Sequence, residues 1–340
     1  MSGRPRCTWL AVTIAGALAV APRGQGQVLY CHIPPLCGNT RPDPFTRSPQ
    51  QATFRSAANA VAVDVTVRNR SRRAITDLTA ADFQVFDNGV PQEVAQVSYG
   101  KLPIDVTVAL DVSYSVTGAL LDRLRRGVVQ LMDDLGPEDR LRLVLFNTRV
   151  SRTVDFTNDV PAVEQAIRTA AAGGGTALLD AVSVALVSGS VPDRRQLIVF
   201  FTDGSDSTST TTPEILTAVA QRTRATLTFV MPALAGMPMT SSDGRAVVTS
   251  GQTSVGRAAA PGSLPALFTT LARETGGSIL PVGLATNLSA TFRRVLNEFR
   301  SAYVLYYNAS GVERGGYHTI EVKVNREDAL VQARRGYFSS

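Results

Sequence analysis

From position 101 to about 280 the chain alternates short apolar runs with helix-length amphipathic stretches. That rhythm excludes most folds. A strand, a crossover helix and a second strand return in the same direction, so the sheet they build is largely parallel and has helices on both faces. Residues 104–110 and 196–202 are nearly continuous apolar runs, as strands buried on both faces require. Residues 120–135 carry Leu121, Leu124, Val128, Leu131 and Leu135 at helical spacing. Residues 140–146 read as the next strand and 148–156 as its short antiparallel edge partner. Helices are predicted over 160–172, 178–189, 213–222, 264–275 and 288–300, with strands over 226–231 and 278–282. The fold class expected is α/β with a doubly wound, mostly parallel, Rossmann-like sheet.

The flanks read differently. Val61, Val63, Val65 and Val67 alternate with Ala62, Asp64, Thr66 and Arg68, the period of a half-buried strand. Residues 83–86, the turn Asp87-Asn88-Gly89 and the run 93–99 predict a hairpin. Near the other end, 302–308, 317–325 and 330–335 read as strands. Both flanks are expected to build one small accessory β unit around the α/β unit, an insertion that close-lying domain termini make easy. The resulting division is 1–26 export signal, 27–58 linker, 59–100 first part of the β unit, 101–285 α/β domain, and 286–340 helix and last strands of the β unit. The stretch 232–262 breaks the rhythm, and a loop of that length is either functional or mobile.

Arg4 and Arg6 precede an uncharged run over 8–21, the pattern of an export signal. The run falls short of the ~20 residues a spanning helix needs. Cleavage after Ala21, cleavage nearer Gln25 to Gln27, and retention as an anchor all stay open. With the signal removed no transmembrane segment is expected, which puts the body in the periplasm or outside the cell. Cys31 and Cys37 predict a small disulfide loop in such an oxidising compartment. With His32 they fall short of a zinc ligand set, and Val28-Leu29-Tyr30 does not resemble a lipoprotein cleavage motif. The formal charge of +6 falls to +3 without Arg4, Arg6 and Arg23, too weak and dispersed to argue for nucleic acid.

Three strand-end segments carry the chemistry. Asp111, Ser113 and Ser115 follow the first strand, Thr176 closes Gly173-Gly174-Gly175, and Asp203 follows the strand ending in Phe201-Thr202. Singly, each suits a helix cap or a turn. Together they are five hard oxygen donors at the edge where a doubly wound sheet binds ligands. A donor set without His or Cys selects Mg²⁺, with Mn²⁺ or Ca²⁺ as alternatives. Asp155, Asp180 and Asp206 are assigned instead to turns or helix surfaces.

In order and spacing, Asp111-Val112-Ser113-Tyr114-Ser115, Thr176 and Asp203 resemble the Asp-x-Ser-x-Ser, Thr, Asp set of the metal-ion-dependent adhesion site in von Willebrand factor type A domains. The resemblance spans about residues 102–280. It implies that Ser113 and Ser115 bind the metal directly, Thr176 directly or through water, and Asp111 and Asp203 mainly through water. It also implies that a protein partner completes the coordination with an exposed Asp or Glu. The mature chain further resembles bacterial exported proteins with such a domain between a Val-rich β segment and a terminal strand, here near Arg334-Arg335-Gly336-Tyr337-Phe338. Related chains often have Gly between the two serines, where this one has Tyr114.

Enzyme readings find little support. The histidines are His32 and His318, neither near a candidate nucleophile in sequence, and the Gly-rich turn lacks the Lys of a phosphate-binding loop. The expected function is an exported, non-enzymatic binding module. The alternatives are an assembly protein of the envelope with a vestigial metal site and, less favoured, a metal-dependent hydrolase.

Overall fold

The computed structural model describes residues 60–339 except 101, 188–190, 192, 233–262 and 283–286. The predicted export signal, the Cys31–Cys37 loop and nearly all of 232–262 lie outside the described residues.

The first strand, β1 (Ala60–Arg68), buries Val63, Val65 and Val67 completely, as its alternation requires. β2 (Phe83–Asp87) and β3 (Val90–Gln92) form a hairpin in which Asp87 faces Val90. Asn88 and Gly89 take φ of 47° and 80°, the pair of positive values that a tight two-residue turn demands. The sequence assigns residues 93–99 to this hairpin. That assignment is corrected here: the short turn brings Val90 to Gln92 back against β2, and β4 (Val94–Tyr99) departs to a second sheet.

The central sheet contains β5 (Ile104–Asp111), β6 (Arg140–Phe146), β7 (Val150–Thr157), β8 (Arg195–Phe201), β9 (Thr226–Pro232) and β10 (Ile279–Val282). Their order is β10-β9-β8-β5-β6-β7, parallel throughout except for the edge strand β7. Among the described residues six α-helices cover it: α1 (Gly118–Asp133), α2 (Val160–Thr169), α3 (Leu178–Val187), α4 (Pro213–Arg222), α5 (Leu264–Thr275) and α6 (Leu288–Arg300). Val106, Val108 and Leu110 of β5 pack in one apolar layer with α1, α2 and α6, while Ala109 joins the opposite layer with α3, α4 and α5. This is the doubly wound α/β architecture expected.

The sequence reading attaches the 288–300 helix to the β flank. In the structure it lies on the central sheet. Its stripe of Leu288, Phe292, Val295, Leu296 and Phe299 is wide enough to need a continuous apolar partner, and the α1 side of the sheet supplies one. Phe292 stacks 4.0 Å from Phe201 and occupies the space beside Gly127, where a Cβ would clash with its ring.

The remaining strands are β11 (Tyr303–Asn308), β12 (Gly316–Val324), β13 (Leu330–Ala333) and β14 (Gly336–Ser339). They interleave with the first four as two sheets, β13-β1-β11-β4 and β14-β12-β2-β3. The two sheets share one core that includes Val65, Val67, Phe83, Val85, Tyr303, Leu305 and Tyr307. The Tyr303 hydroxyl accepts from the Leu78 amide and donates to the Ile75 carbonyl, both at 3.0 Å. It thus ties the 75–78 connection to a strand more than two hundred residues away. Tyr303→Phe strands a buried amide and a carbonyl, so stability should fall by about 1–3 kcal/mol. A lower urea midpoint with unchanged slope is the expected reading, and an unmoved midpoint would show that water replaces the hydroxyl.

Candidate functional site

β5 runs on one side into β6 and, through a later crossover, has β8 on the other. Strand order therefore reverses between β5 and β8, and the crevice of such a sheet opens beyond their carboxyl ends. Leu110 faces Phe201 in the parallel register, so Asp111 and the Thr202-Asp203 step leave the sheet side by side.

Asp111 is 0% exposed. Its Oδ1 accepts the Ser113 amide at 2.9 Å, and its Oδ2 accepts the Thr202 hydroxyl at 2.9 Å. Thr202 Oγ1 in turn accepts the Gly204 amide at 3.1 Å. The carboxylate is therefore fixed from both strand ends. Burial pushes its carboxyl above the ordinary carboxylate range, the Ser113 and Thr202 hydrogen bonds pull it back, and the neighbouring Asp203 charge raises it further. Two carboxylates brought together in a largely buried place leave a negative charge that a cation would offset.

Ser113 is buried and Ser115 exposed, and their Oγ atoms stand 3.0 Å apart. Mg²⁺ holds oxygens at roughly 2.0–2.1 Å in an octahedron, which places adjacent ligand oxygens about 2.9–3.0 Å apart. The two hydroxyls stand at that separation. Thr176 is buried, with its amide accepted by Ser207 Oγ at 2.9 Å and its carbonyl accepting the Ser207 and Thr208 amides at 2.8 and 3.1 Å. The turn before it is joined to the first segment: the Tyr114 amide donates to the Gly174 carbonyl, and the Gly173 amide to the Val112 carbonyl. Gly174 has φ of 79°, and a Cβ there would clash with Thr148 Oγ1, so the turn passes only as glycine. Asp203 is half-buried, its Oδ1 accepting the Ser205 amide at 2.9 Å.

The three segments are thus joined at one edge of the sheet, with Asp111, Ser113 and Thr176 buried and Ser115 and Asp203 toward solvent. Among the described residues no group of three or more His, Cys, Asp or Glu side chains is gathered for a metal. The oxygens here, two carboxylates and three hydroxyls, suit a hard cation and exclude a soft one.

Other residues support this edge without supplying donors to it. Asp206 accepts the Leu179 amide and the Ser209 hydroxyl, and Asp180 accepts the Thr210 and Thr211 amides, so both brace the loop after Asp203. Sequence reasoning did not single out Thr202, Thr148 or Ser207 as positioning residues. Thr202 could have been found, because the residue before a strand-end Asp points back across the sheet. Ser207 could not, since it lies in a run of serines and threonines with no pattern. His318 sits in β12 with Nδ1 2.7 Å from Asp87 Oδ1, buried among Asp87 and Tyr337, and not at this edge.

Residues 106–205 match the family model of the von Willebrand factor type A domain. Over 127 residues the chain is 30% identical to inter-alpha-trypsin inhibitor heavy chain H4 of Homo sapiens, a stretch covering 33% of this chain and 13% of that protein. Among solved structures, a von Willebrand factor type A protein from Catenulispora acidiphila aligns at 11% identity with a TM-score of 0.45, covering 84% of this chain and 76% of that one. An aerotolerance-related membrane protein from Bacteroides fragilis aligns at 19% identity with a TM-score of 0.40, covering 58% and 98%.

Proposed function

We propose that this chain, which carries a von Willebrand factor type A domain at its centre, is a non-enzymatic recognition module that binds a protein partner through a divalent cation. Domains of this family mediate protein–protein interaction or adhesion. Asp111, Ser113, Ser115, Thr176 and Asp203 would hold Mg²⁺, or in its place Mn²⁺ or Ca²⁺. The cation would supply a Lewis-acidic position for a carboxylate of the partner. The observation that carries this reading is the pair of Ser113 and Ser115 oxygens 3.0 Å apart beside the buried, doubly anchored Asp111. Ser115 and Asp203, toward solvent, leave the cation reachable by an incoming Asp or Glu.

The flanking strands are read as an accessory β unit that carries the domain, and the whole as exported to the periplasm or beyond the cell. Among the described residues no helix is long and apolar enough to cross a membrane. Turnover is disfavoured because His318, engaged with Asp87, cannot serve as a base beside Ser113 or Ser115.

Calorimetric titration of Mg²⁺ and Mn²⁺ tests the reading. The chain should give a saturable heat, and the Ser113→Ala, Ser115→Ala double variant, which removes two donors, should weaken binding by at least roughly tenfold, or about 1.4 kcal/mol. A folded chain that takes up neither ion at millimolar concentration would leave the envelope-assembly alternative in its place.

A further inference from the structure

Among the described residues Tyr114 is the most exposed of the large apolar side chains, at 74%, yet it lies between the two serines of the proposed cation site. Its backbone is not loose. The amide is bound to the Gly174 carbonyl at 3.1 Å, and the neighbouring segment is anchored through Asp111. One edge of the phenol rests on Gly173, where a Cβ would stand 3.7–4.0 Å from ring Cε1, Cζ and the hydroxyl oxygen. The rest of the ring faces water. On the same edge Ser115, Thr148, Ser205, Ser207 and Thr208 are exposed small polar groups. A ring held at its base, with two rotatable bonds, is an anchor that loses little entropy when something covers it.

We infer that Tyr114 is the specificity-determining residue of the site, selecting acidic peptides whose metal-bound Asp or Glu is flanked by a large apolar or aromatic side chain. This rests on the proposed cation site, because the carboxylate is what would bring the peptide to the ring. Adjacent residues of a peptide lie about 3.8 Å apart along the backbone. A side chain next to the bound carboxylate therefore reaches the phenol. Covering the ring removes apolar surface from water, the kind of central aromatic contact that dominates interface energetics.

The test is to pan a displayed library of random short peptides on the full chain in Mg²⁺, elute with chelator, and repeat with Tyr114→Ala and Tyr114→Phe. All three proteins should bind Mg²⁺ equally by calorimetry. Peptides from the unmodified chain should pair an acidic residue with a neighbouring Phe, Tyr, Leu or Met. Tyr114→Phe should keep that pairing. Tyr114→Ala should keep the acid, lose the neighbour preference, and bind a selected peptide at least roughly tenfold more weakly. The same apolar neighbour selected by Tyr114→Ala would overturn the inference while sparing the cation site. No chelator-eluted acidic peptide from any of the three would remove the cation reading, and the inference with it.

Discussion

Asp111→Asn should raise the thermal midpoint of the chain in chelator and abolish the further rise that Mg²⁺ should give the unmodified protein if it binds the proposed site. The two effects have one cause. Without a cation, Asp111 is a buried carboxylate beside Asp203, and burial together with that neighbour disfavours its charge. The amide keeps the shape. Its oxygen can still accept the Ser113 amide, and its NH₂ can donate to Thr202 Oγ1, which in the unmodified protein donates to Asp111. The fold is therefore retained and the repulsion relieved. What is lost is the charge that would hold the cation. For a protein that binds the ion only when folded, the stabilisation is RT ln(1 + [L]/Kd), about 2.7 kcal/mol at a hundredfold excess over Kd. The unmodified chain should show that gain on saturation and the variant none. A Mg²⁺-induced shift of equal size in Asp111→Asn would place the ion elsewhere. A fall in chelator midpoint would mean that the Asp111 hydrogen bonds outweigh its charge cost.

The sheet was legible because its strands are buried on both faces. Residues 104–110 and 196–202 leave no polar stripe, so only a sheet covered by helices accommodates them, and β5 and β8 formed within one residue of expectation. The placement of Asp111, Thr176 and Asp203 at one edge is legible for the same reason, since a strand end in such a sheet has a known side. What the sequence could not convey was partner choice between elements of like periodicity. The 93–99 run alternates as well for one sheet as for another, and the Asn88-Gly89 turn was too short to reach it. The 288–300 helix has a clear apolar stripe, but a stripe does not name its partner, and the gap beside Gly127 that receives Phe292 comes from another helix. The last strand likewise reads as continuous over 330–335, whereas Arg334 turns inward between β13 and β14, with Nη1 2.9 Å from the Thr223 carbonyl.

The largest loss of stability should come from the opposite end of β5, at Asp105. On the strand face that carries Asp111, Asp105 and Thr107 pair in register with Arg140 and Arg142 of β6. The Asp105 side chain is fully buried, taking Arg140 Nε and Nη2 at 2.9 and 2.7 Å and Arg194 Nε at 2.7 Å. Asp105→Ala leaves two arginines around an empty place; removing one partner of a fully buried pair costs about 3–5 kcal/mol, and because Arg140 is 36% exposed and Arg194 keeps the Ile104 and Glu138 carbonyls, the low end, about 3 kcal/mol, is expected here. That is a large share of the roughly 5–15 kcal/mol that holds a domain together. The pH dependence has a definite sign. Burial alone would raise the Asp105 carboxyl, but the hydrogen bonds and charges of Arg140 and Arg194 outweigh it, and the net shift is downward. A group whose folded value lies below its unfolded value, about 3.9 for Asp, contributes fully above that pH and progressively loses its contribution as pH falls through the folded value. The deficit of Asp105→Ala should therefore be full at pH 7 and shrink below about pH 4. Denaturant titrations of both proteins at neutral and acid pH read this directly. A deficit that stays constant into acid would assign the cost to lost packing and not to the ion pair. Because Asp105 lies at the amino end of the strand and Asp111 at its carboxyl end, the folded fraction of Asp105→Ala should bind Mg²⁺ as the unmodified chain does. Weakened Mg²⁺ binding in that fraction would mean that β5 transmits strain along its length, and the two ends could no longer be treated as independent.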